Sequence, residues 1–498
     1  VYIGHTSAKS IFRCEPTVLF HCDTPSAFTK PQGDQKRGRQ ANVRMVLATT
    51  ILASSLAFID GSVVNVGLAA IGHAFAVHGS QLTWVVNGYL LPLGALLLAG
   101  GAAGDLYGKR RLLIIGLVLF AVASLLCSLA PNIGLLIAGR VLQGIGAAVL
   151  LPNSLAILAE TFDGQARGRA VGIWAAAGAA MGAIAPVLGG ALIDHLGWRT
   201  IFLINLPIAI CAVLLALWFV PQSLTEQERR LDVTGAALIT LGLSLLTWDL
   251  TEASAHGSSV PVIAAVCAAG LVSLMLFIVV EGKLGEAAML PGAMFASRQL
   301  VGLTVLTFLL YGALGGLMLV LPYELIEANG YSATEAGAAL LPLPIIVAAA
   351  SPSMGRLSVK LGPRLLLTVG PLVMAVGLLL CLLIDQRASY WTSVFPAICV
   401  AAIGLSGAVA PLTTTVLSAV SSDHTGIASG LNSAVARIGG LVAIAALSAL
   451  FAAQGRQLEH IFKVAVLCGA TLSFLSGITA ALTVTGGAPP TPQQQASE

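Results

Sequence analysis

An all-α membrane protein is the fold class this sequence predicts, on three observations. The chain of 498 residues is 57% hydrophobic and only 9% charged, whereas soluble domains carry about 25% charged residues. Charge this sparse cannot coat a soluble body of this size, so most of the surface must face lipid. Long apolar runs recur nearly from Met45 to Val484. A glycine- and charge-rich turn, GAAGDLYGKR from Gly101 to Arg110, returns in altered form as GRLSVKLGPR from Gly355 to Arg364. A turn repeated in each half of an apolar chain points to an internal duplication, a common construction among solute transporters.

A helix needs about 20 residues to cross the hydrocarbon. Spans are expected near 46–71, 83–104, 111–130, 133–158, 168–193, 200–220, 233–250, 260–280, 300–323, 335–355, 364–384, 391–417, 434–452 and 463–484. Cytoplasmic loops should be rich in Lys and Arg. With the N-terminus inside, Lys109, Arg110, Arg111, Arg167, Arg169, Arg229, Arg230, Lys283, Arg298, Arg356, Lys360 and Arg364 fall in inside loops, with Arg437 at a span entrance. Only Arg199, Arg387, Arg456 and Lys463 fall outside. A missed span would scramble that alternation, so an even number of spans with both termini cytoplasmic is expected.

The first basic turn follows the second span and the second follows the tenth. Two six-helix bundles are therefore expected at 45–220 and 299–484, joined by a linker at 221–298 that carries two extra spans. Residues 1–44 are polar and lack the apolar core of a signal peptide. They are expected to be a disordered tail or an overextended start, with Met45 as initiator; 485–498 is expected to be a second disordered tail. Cys127, Cys211, Cys267, Cys381, Cys399 and Cys468 stand singly in apolar runs and read as small packing residues. Cys14, His21 and Cys22 fit no strong zinc spacing, and no metal is expected. The net charge of +3 is spread over short loops, which gives nucleic-acid binding little support. No phosphate loop, zinc-protease motif or nucleophile elbow occurs. His73, His78, His195, His256, His424 and His460 are scattered rather than clustered, so an enzyme is not expected.

Four stretches carry a resemblance. Gly101-x3-Asp105-x2-Gly108-Lys109-Arg110 resembles the signature loop of the major facilitator superfamily, and Gly355-x4-Lys360-x-Gly362-x-Arg364 its second-half copy. Leu106 stands where a basic residue is usual and Val359 where the Asp is, so the second copy should latch more weakly. Physically, the glycines permit a tight turn, and the Asp can cap a helix start or pair with nearby cations. The fourth span carries Arg140-Val-Leu-Gln143-Gly144-Ile-Gly146-Ala147-Ala148, similar to the family's RxxQGxGAA motif. An arginine inside an apolar span is costly unless it meets water or a partner; Arg140 lies about 10 Å from Ile133 at the helical rise. It reads as the only Lys or Arg well within a span.

The first span carries Ile59-Asp60-Gly61-Ser62-Val63-Val64-Asn65-Val66, which resembles the first-helix motif of the drug:proton antiporter branch. Asp60 lies about 16 Å from Ile71, a depth comparable with Arg140. Removal from water favours the protonated form of a carboxyl group, and a neighbouring guanidinium the ionised form. A static ion pair joining two helices is the other reading of these two residues. The fifth span has Gly178-x3-Gly182-x3-Pro186-x2-Gly189-Gly190, a small-residue stripe that lets helices approach closely and resembles the antiporter motif found in exporters. Gly197 to Pro207 and Gly426 to Gly440 resemble the starts of the sixth and thirteenth helices of the same family.

With fourteen spans, the resemblance is to the 14-helix drug:proton antiporters. It implies two pseudosymmetric six-helix bundles around a cavity, plus two central helices. It implies proton-coupled efflux of small amphipathic compounds by alternating access, with Asp60 and Arg140 in proton coupling and no cofactor beyond the proton gradient. Asn65, Trp84, Asn87, Tyr89, Gln143, Trp174 and Glu324 are candidates to line the cavity, Glu324 for a cationic substrate near its mouth. The expected partners are protons, a small lipophilic or cationic substrate, the bilayer and accessory efflux proteins. The expected location is a bacterial inner membrane. A dedicated metabolite exporter or a proton-coupled uptake symporter on the same scaffold remains open.

Overall fold

The computed structural model describes residues 43–162, 164–222, 232–255, 260–285, 294, 296–384, 389–420, 425–453 and 456–485. Among them are 14 helical segments long and apolar enough to cross a membrane. The first four are α1 (Val43–Phe75), α2 (Ser80–Tyr107), α3 (Lys109–Leu129) and α4 (Ile133–Thr161). Next come α5 (Gly164–Leu196) and a sixth span broken at Ile204 into α6 (Thr200–Leu203) and α7 (Asn205–Phe219). Then follow α8 (Val233–Ala255), α9 (Val260–Leu284) and α10 (Arg298–Glu327). The tenth span is split into α11 (Ala333–Ala339) and α12 (Pro342–Leu361), and α13 (Pro363–Leu380), α14 (Val394–Ser418), α15 (Thr425–Ala446) and α16 (Arg456–Thr483) complete the fold.

Local chemistry sets several boundaries. Gly108 ends α2 and starts α3 at φ +94°, and Gly362 does the same between α12 and α13 at φ +83°, a backbone region that suits a residue without Cβ. Asn132 and Ser297 cap α4 and α10, their side chains accepting from Leu135 N at 2.9 Å and Leu300 N at 3.3 Å. Ser332 and Glu335 form a reciprocal capping box at the start of α11.

Four sequence expectations need correction. The thirteenth span is not 434–452: α15 begins at Thr425, and the stretch after Leu447 is a 3₁₀ turn, Ser448–Ala452. Glycine, serine and asparagine dilute the apolar character of 425–433 and make it read as a loop. Gly430 in this stretch, and Gly439 beyond it, are instead close-approach positions. Gly430 faces Leu98 of α2, and a Cβ on Gly439 would sit 2.4 Å from the Phe308 carbonyl oxygen of α10. Arg437 therefore lies within a span rather than at its entrance, and Arg140 is not the sole cation there. Val43 and Arg44, assigned to the tail, open α1. The rest of that tail, with Cys14, His21 and Cys22, lies outside the described residues, as do 486–498. Cys127 and Cys381 are buried as expected of packing residues, but Cys211 and Cys468 are exposed on the helical surface.

The two halves repeat one packing pattern. In the first, α1 packs on α5 and α7, α2 on α4, and α3 on α4 and α7. In the second, α10 packs on α15 and α16, α12 on α14, and α13 on α14 and α16. Arg110 at the start of α3 donates to the Leu217 carbonyl near the end of α7 at 2.5 Å; Arg364 at the start of α13 donates to the Ala481 carbonyl near the end of α16 at 2.6 Å. Each arginine places a cation at the negative end of its half's last helix. Between the halves, α8 packs on α9 and also touches α2 and α15.

The halves meet at one end and part at the other. At the end bearing the α1–α2 turn, Gly190 of α5 and Gly337 of α11 make a mutual close approach. A Cβ on either would lie 2.4 Å from a carbonyl oxygen across the seam, that of Ala333 or Pro186. Asp194 of α5 accepts from Ala333 N at 3.2 Å and from Thr334 N at 2.9 Å, capping α11 from the opposite half. His73 of α1 and Glu327 of α10 pair at 3.0 Å. At the glycine-loop end the picture reverses. Over 166–184 of α5 only Ala170 and Gly178 are buried, and over 345–361 of α12 only Ser358. A helix with one face on lipid and the other on protein would show a buried stripe. Exposure round most of the circumference means a second open face, so this end gapes between α5 and α12.

Candidate functional site

The polar centre of the first half is built on Asp60 of α1 and Arg140 of α4. Both are buried, with side chains 0% and 1% exposed, and they form an ion pair through Oδ2 and Nη1. Arg140 Nε donates to the Val85 carbonyl of α2 at 2.9 Å, and Nη1 also donates to Gln143 Oε1 at 2.8 Å. Gln143 Nε2 donates to Asp60 Oδ1 at 3.2 Å and to Ser124 Oγ of α3 at 2.8 Å. Asn205 Nδ2, at the start of α7, donates to the same two oxygens, each at 3.3 Å. The guanidinium lies over the ring of Tyr89, 4.5 Å from its centroid, and 5.8 Å from that of Phe202. Tyr89 in turn donates its hydroxyl to the Ala57 carbonyl at 3.0 Å.

Both carboxylate oxygens thus accept hydrogen bonds, one from a cation and one from two amides. An acceptor-only set of contacts is the arrangement of the ionised form. Removing one partner of a buried pair leaves an uncompensated charge, at a cost of about 3–5 kcal/mol. Helices α1, α2, α3, α4 and α7 all contribute a group to this cluster. The Oδ1 of Asn205, both amide atoms of Asn87 and the hydroxyl of Thr83 are buried without a partner. Such atoms are the reserve on which an alternative hydrogen-bond arrangement can draw.

The first glycine loop carries a relay of charge. Lys109 Nζ pairs with Asp105 at 2.9 Å and with Glu160, near the end of α4. Asp105 therefore pairs with a cation rather than capping a helix start. Gly104 is obligatory for this approach: a Cβ there would lie 1.6 Å from Asn153 Oδ1, while Asn153 Nδ2 donates to the Gly100 carbonyl at 2.9 Å. Gly101 faces Pro152 at ordinary contact distance. The second loop lacks this relay. Val359 and Pro363 stand where Asp105 and Lys109 stand in the first, Gly355 meets open space, and Lys360 makes no ion pair among the described residues.

The antiporter stripe divides between two partners. Gly178 and Gly189 face Phe58 and Val63 of α1, a Cβ on Gly182 would lie 4.0 Å from the Phe58 carbonyl oxygen, and Gly190 turns to the other half. Pro186 is buried between them and offers its carbonyl side to Gly337.

The cavity candidates do not gather in one place. Tyr89 and Gln143 belong to the buried cluster. Trp174 is half-buried, donating from Nε1 to Ser154 Oγ at 3.1 Å and meeting Phe58 edge-on at 6.0 Å. Asn65 and Trp84 are half-buried and Asn87 is fully buried. Glu324, in the last turn of α10, is 3% exposed, with Oε2 unpartnered. A cavity of about 240 Å³ lies at the closed end, lined by His73, His78, Leu82, Tyr323, Glu327 and Phe451 among others. Sequence reasoning missed Ser124, Asn205, Asp194 and Arg437. Asn205 carried a signal, as an amide inside the apolar run IFLINLP; Asp194 carried none.

The sequence matches the family described as Major Facilitator Superfamily over residues 50–302 and 303–498. It is 34% identical to the methylenomycin A resistance protein of Bacillus subtilis (strain 168), over 80% of this chain and 86% of that one. It is 33% identical to the multidrug resistance protein Stp of Mycobacterium tuberculosis, over 82% and 76%. It is 32% identical to the cephamycin export protein CmcT of Amycolatopsis lactamdurans, over 84% and 88%. Among solved structures, a D-xylose-proton symporter superposes with a TM-score of 0.64 at 15% identity, covering 89% of this chain and 98% of that one. A POT family transporter in complex with 5-aminolevulinic acid gives 0.65 at 11%, over 89% and 96%. At these identities the two structures speak for the fold alone.

Proposed function

Since the chain belongs to the major facilitator superfamily, in its 14-helix drug:proton antiporter family, we propose that it exports small amphipathic compounds in exchange for protons. The observation that carries this reading is the buried Asp60–Arg140 pair, whose carboxylate takes its donors from α4 and α7. A proton arriving on Oδ1 removes the acceptor of Gln143 and Asn205 and weakens the hold on Arg140. Asn205 can answer by turning its amide, so that its unpartnered Oδ1 accepts from the new O–H. Loss of the ionic link between α1 and α4 then permits the half to tilt. Proton release restores it.

The basic loops lie at the gaping end, and Lys- and Arg-rich loops face the cytoplasm. In this reading the molecule is open to the inside and closed outside by Asp194, Gly190 and the His73–Glu327 pair, in a bacterial plasma membrane with both termini inside. The Asp105–Lys109–Glu160 relay then belongs to the cytoplasmic latch. The membrane potential contributes about 2.3 kcal/mol per charge per 100 mV, enough for a roughly fiftyfold gradient per proton. The relatives named for resistance and export support efflux over uptake. Those named for a single compound favour a narrow substrate range as a second reading.

The test is expression in a pump-deficient bacterial host challenged with a panel of amphipathic antibacterials, with Asp60→Asn and Arg140→Ala beside the unaltered chain. Protection is expected from the unaltered chain alone, with substrate-dependent proton release in proteoliposomes. Equal protection by both variants would refute the assigned roles, and protection against one compound only would select the narrow reading.

A further inference from the structure

The second half carries a cation that the ion-pair cluster does not explain. Arg437 lies about 18 Å along α15 from Thr425 and about 13 Å from Ala446 at the helical rise. It is half-buried. Among the described residues no carboxylate pairs with it. The groups within electrostatic reach are the hydroxyls of Tyr89 on α2 and Tyr311 on α10. Arg140, at a similar depth, has a carboxylate, a carbonyl and an amide oxygen as acceptors.

The backbone around Arg437 is arranged to hold it at the seam between halves. Gly439 and Gly440 bring α15 against α10, where a Cβ on Gly315 would lie 2.8 Å from Gly440 Cα. On the other side, a Cβ on Gly94 of α2 would lie 3.6 Å from Arg437 Cβ. The residue thus lies where α2 of the first half meets α10 and α15 of the second, and it is partly exposed there. Headgroups are out of reach at that depth. Asp60 is already saturated by Arg140, Gln143 and Asn205. Asp60 and Arg140 cancel, so Arg437 leaves this region one positive charge in excess.

We propose that Arg437, with Tyr311 on the helix packed against it, is a binding subsite for the carboxylate of an amphipathic organic anion. A guanidinium fork matches a carboxylate in two parallel hydrogen bonds. Ile438, the next residue of α15, supplies apolar wall for the rest of such a molecule. This rests on the export reading and names the charge of its substrate: anionic at this subsite, where the sequence alone pointed to a cation.

The experiment uses the purified full chain in nanodiscs and two probes that differ by one charge, dansyl-leucine and its methyl ester, with binding read from dansyl fluorescence. The unaltered protein is expected to bind the acid at least about tenfold more tightly than the ester, equivalent to about 1.4 kcal/mol. Arg437→Gln should abolish that preference while leaving ester affinity within about twofold, and Arg437→Lys should keep part of it. Tyr311→Phe, which keeps the ring, should weaken the acid several-fold and the ester not at all. Equal affinity for acid and ester in the unaltered protein, absence of binding by either, or a preference that survives Arg437→Gln overturns the proposal. So does displacement of the acid by chloride alone at buffer concentration, which would make the site one for inorganic anions. Whole-cell efflux is scored separately: export without acid preference removes this subsite only, and acid preference without export removes the efflux reading only.

Discussion

Asp194 offers a direct handle on the closed end. It sits on α5 in the first half, yet it accepts from two backbone N–H groups at the start of α11 in the second, and from the Thr334 hydroxyl at 2.5 Å. The first N–H groups of a helix have no partner within it. In α11 the accounting is complete: Ala333 and Thr334 go to Asp194, and Glu335 N goes to Ser332 Oγ at 3.1 Å. Asp194→Ala strips two of these three. Loss of a side-chain cap costs about 0.5–2 kcal/mol. A negative charge at a helix start adds about 0.3–1 kcal/mol. Asp194 is exposed, so water replaces part of what is lost, and a net figure of about 1 kcal/mol is reasonable. That corresponds to roughly a fivefold rise in the population with this end parted.

Hydrogen–deuterium exchange read on a peptide spanning 331–341 measures it without labels, because slow exchange there reports the opening free energy. Exchange in this peptide should quicken about fivefold in Asp194→Ala, and less in Asp194→Asn, which keeps one acceptor oxygen. A peptide from α13, remote from the seam, should not change. If the 331–341 peptide exchanges at the same rate in Asp194→Ala as in the unaltered chain, the carboxylate is not holding the two halves together, and the account of the closed end is wrong.

Two further outcomes follow from the glycine contacts. A Cβ at Gly190 would lie 2.4 Å from the Ala333 carbonyl, so Gly190→Val should prevent closure at this end and cut transport more than tenfold; cysteine accessibility beside the seam should rise in parallel, and normal closure would contradict the geometry. Gly104→Ala should destabilise the protein by about 2 kcal/mol or more through the clash with Asn153, and Asn153→Ala should rescue part of that loss in the double variant, a coupling that a thermal-melt double-mutant cycle reads directly.

The fold was largely legible because lipid imposes a simple rule on composition. Runs such as Leu112–Leu129 or Val394–Leu412 admit no other reading, and the repeated turn located the two halves. The rule weakens where helix packs on helix. The stretch 425–433 is a helix in which Gly430 faces α2 and Asn432 accepts from Thr307 of α10, and a scan for apolar length mistakes it for a loop and pushes Arg437 to an edge. At the site, Asp60 and Arg140 stood out as charges inside apolar runs at matching depth, and the structure joins them. Ser124, Asn205 and the role of Gln143 were hidden, because short polar side chains declare their partners only once four helices have met. Asp194 was beyond reach: the helix start it caps lies 139 positions away, and no local pattern marks a residue as a cap for a distant chain segment.

The extra pair of helices gives the molecule two unlike flanks. Along one flank, Leu98 of α2 and Ile427, Leu431 and Val435 of α15 are covered by Leu238 and Ile239 of α8 and by Phe277 of α9. Along the other, α5 and α12 carry no such cover where they diverge. Among the described residues the two seams between the halves are therefore unequal, one overlaid with apolar side chains from a separate helix pair and the other bare.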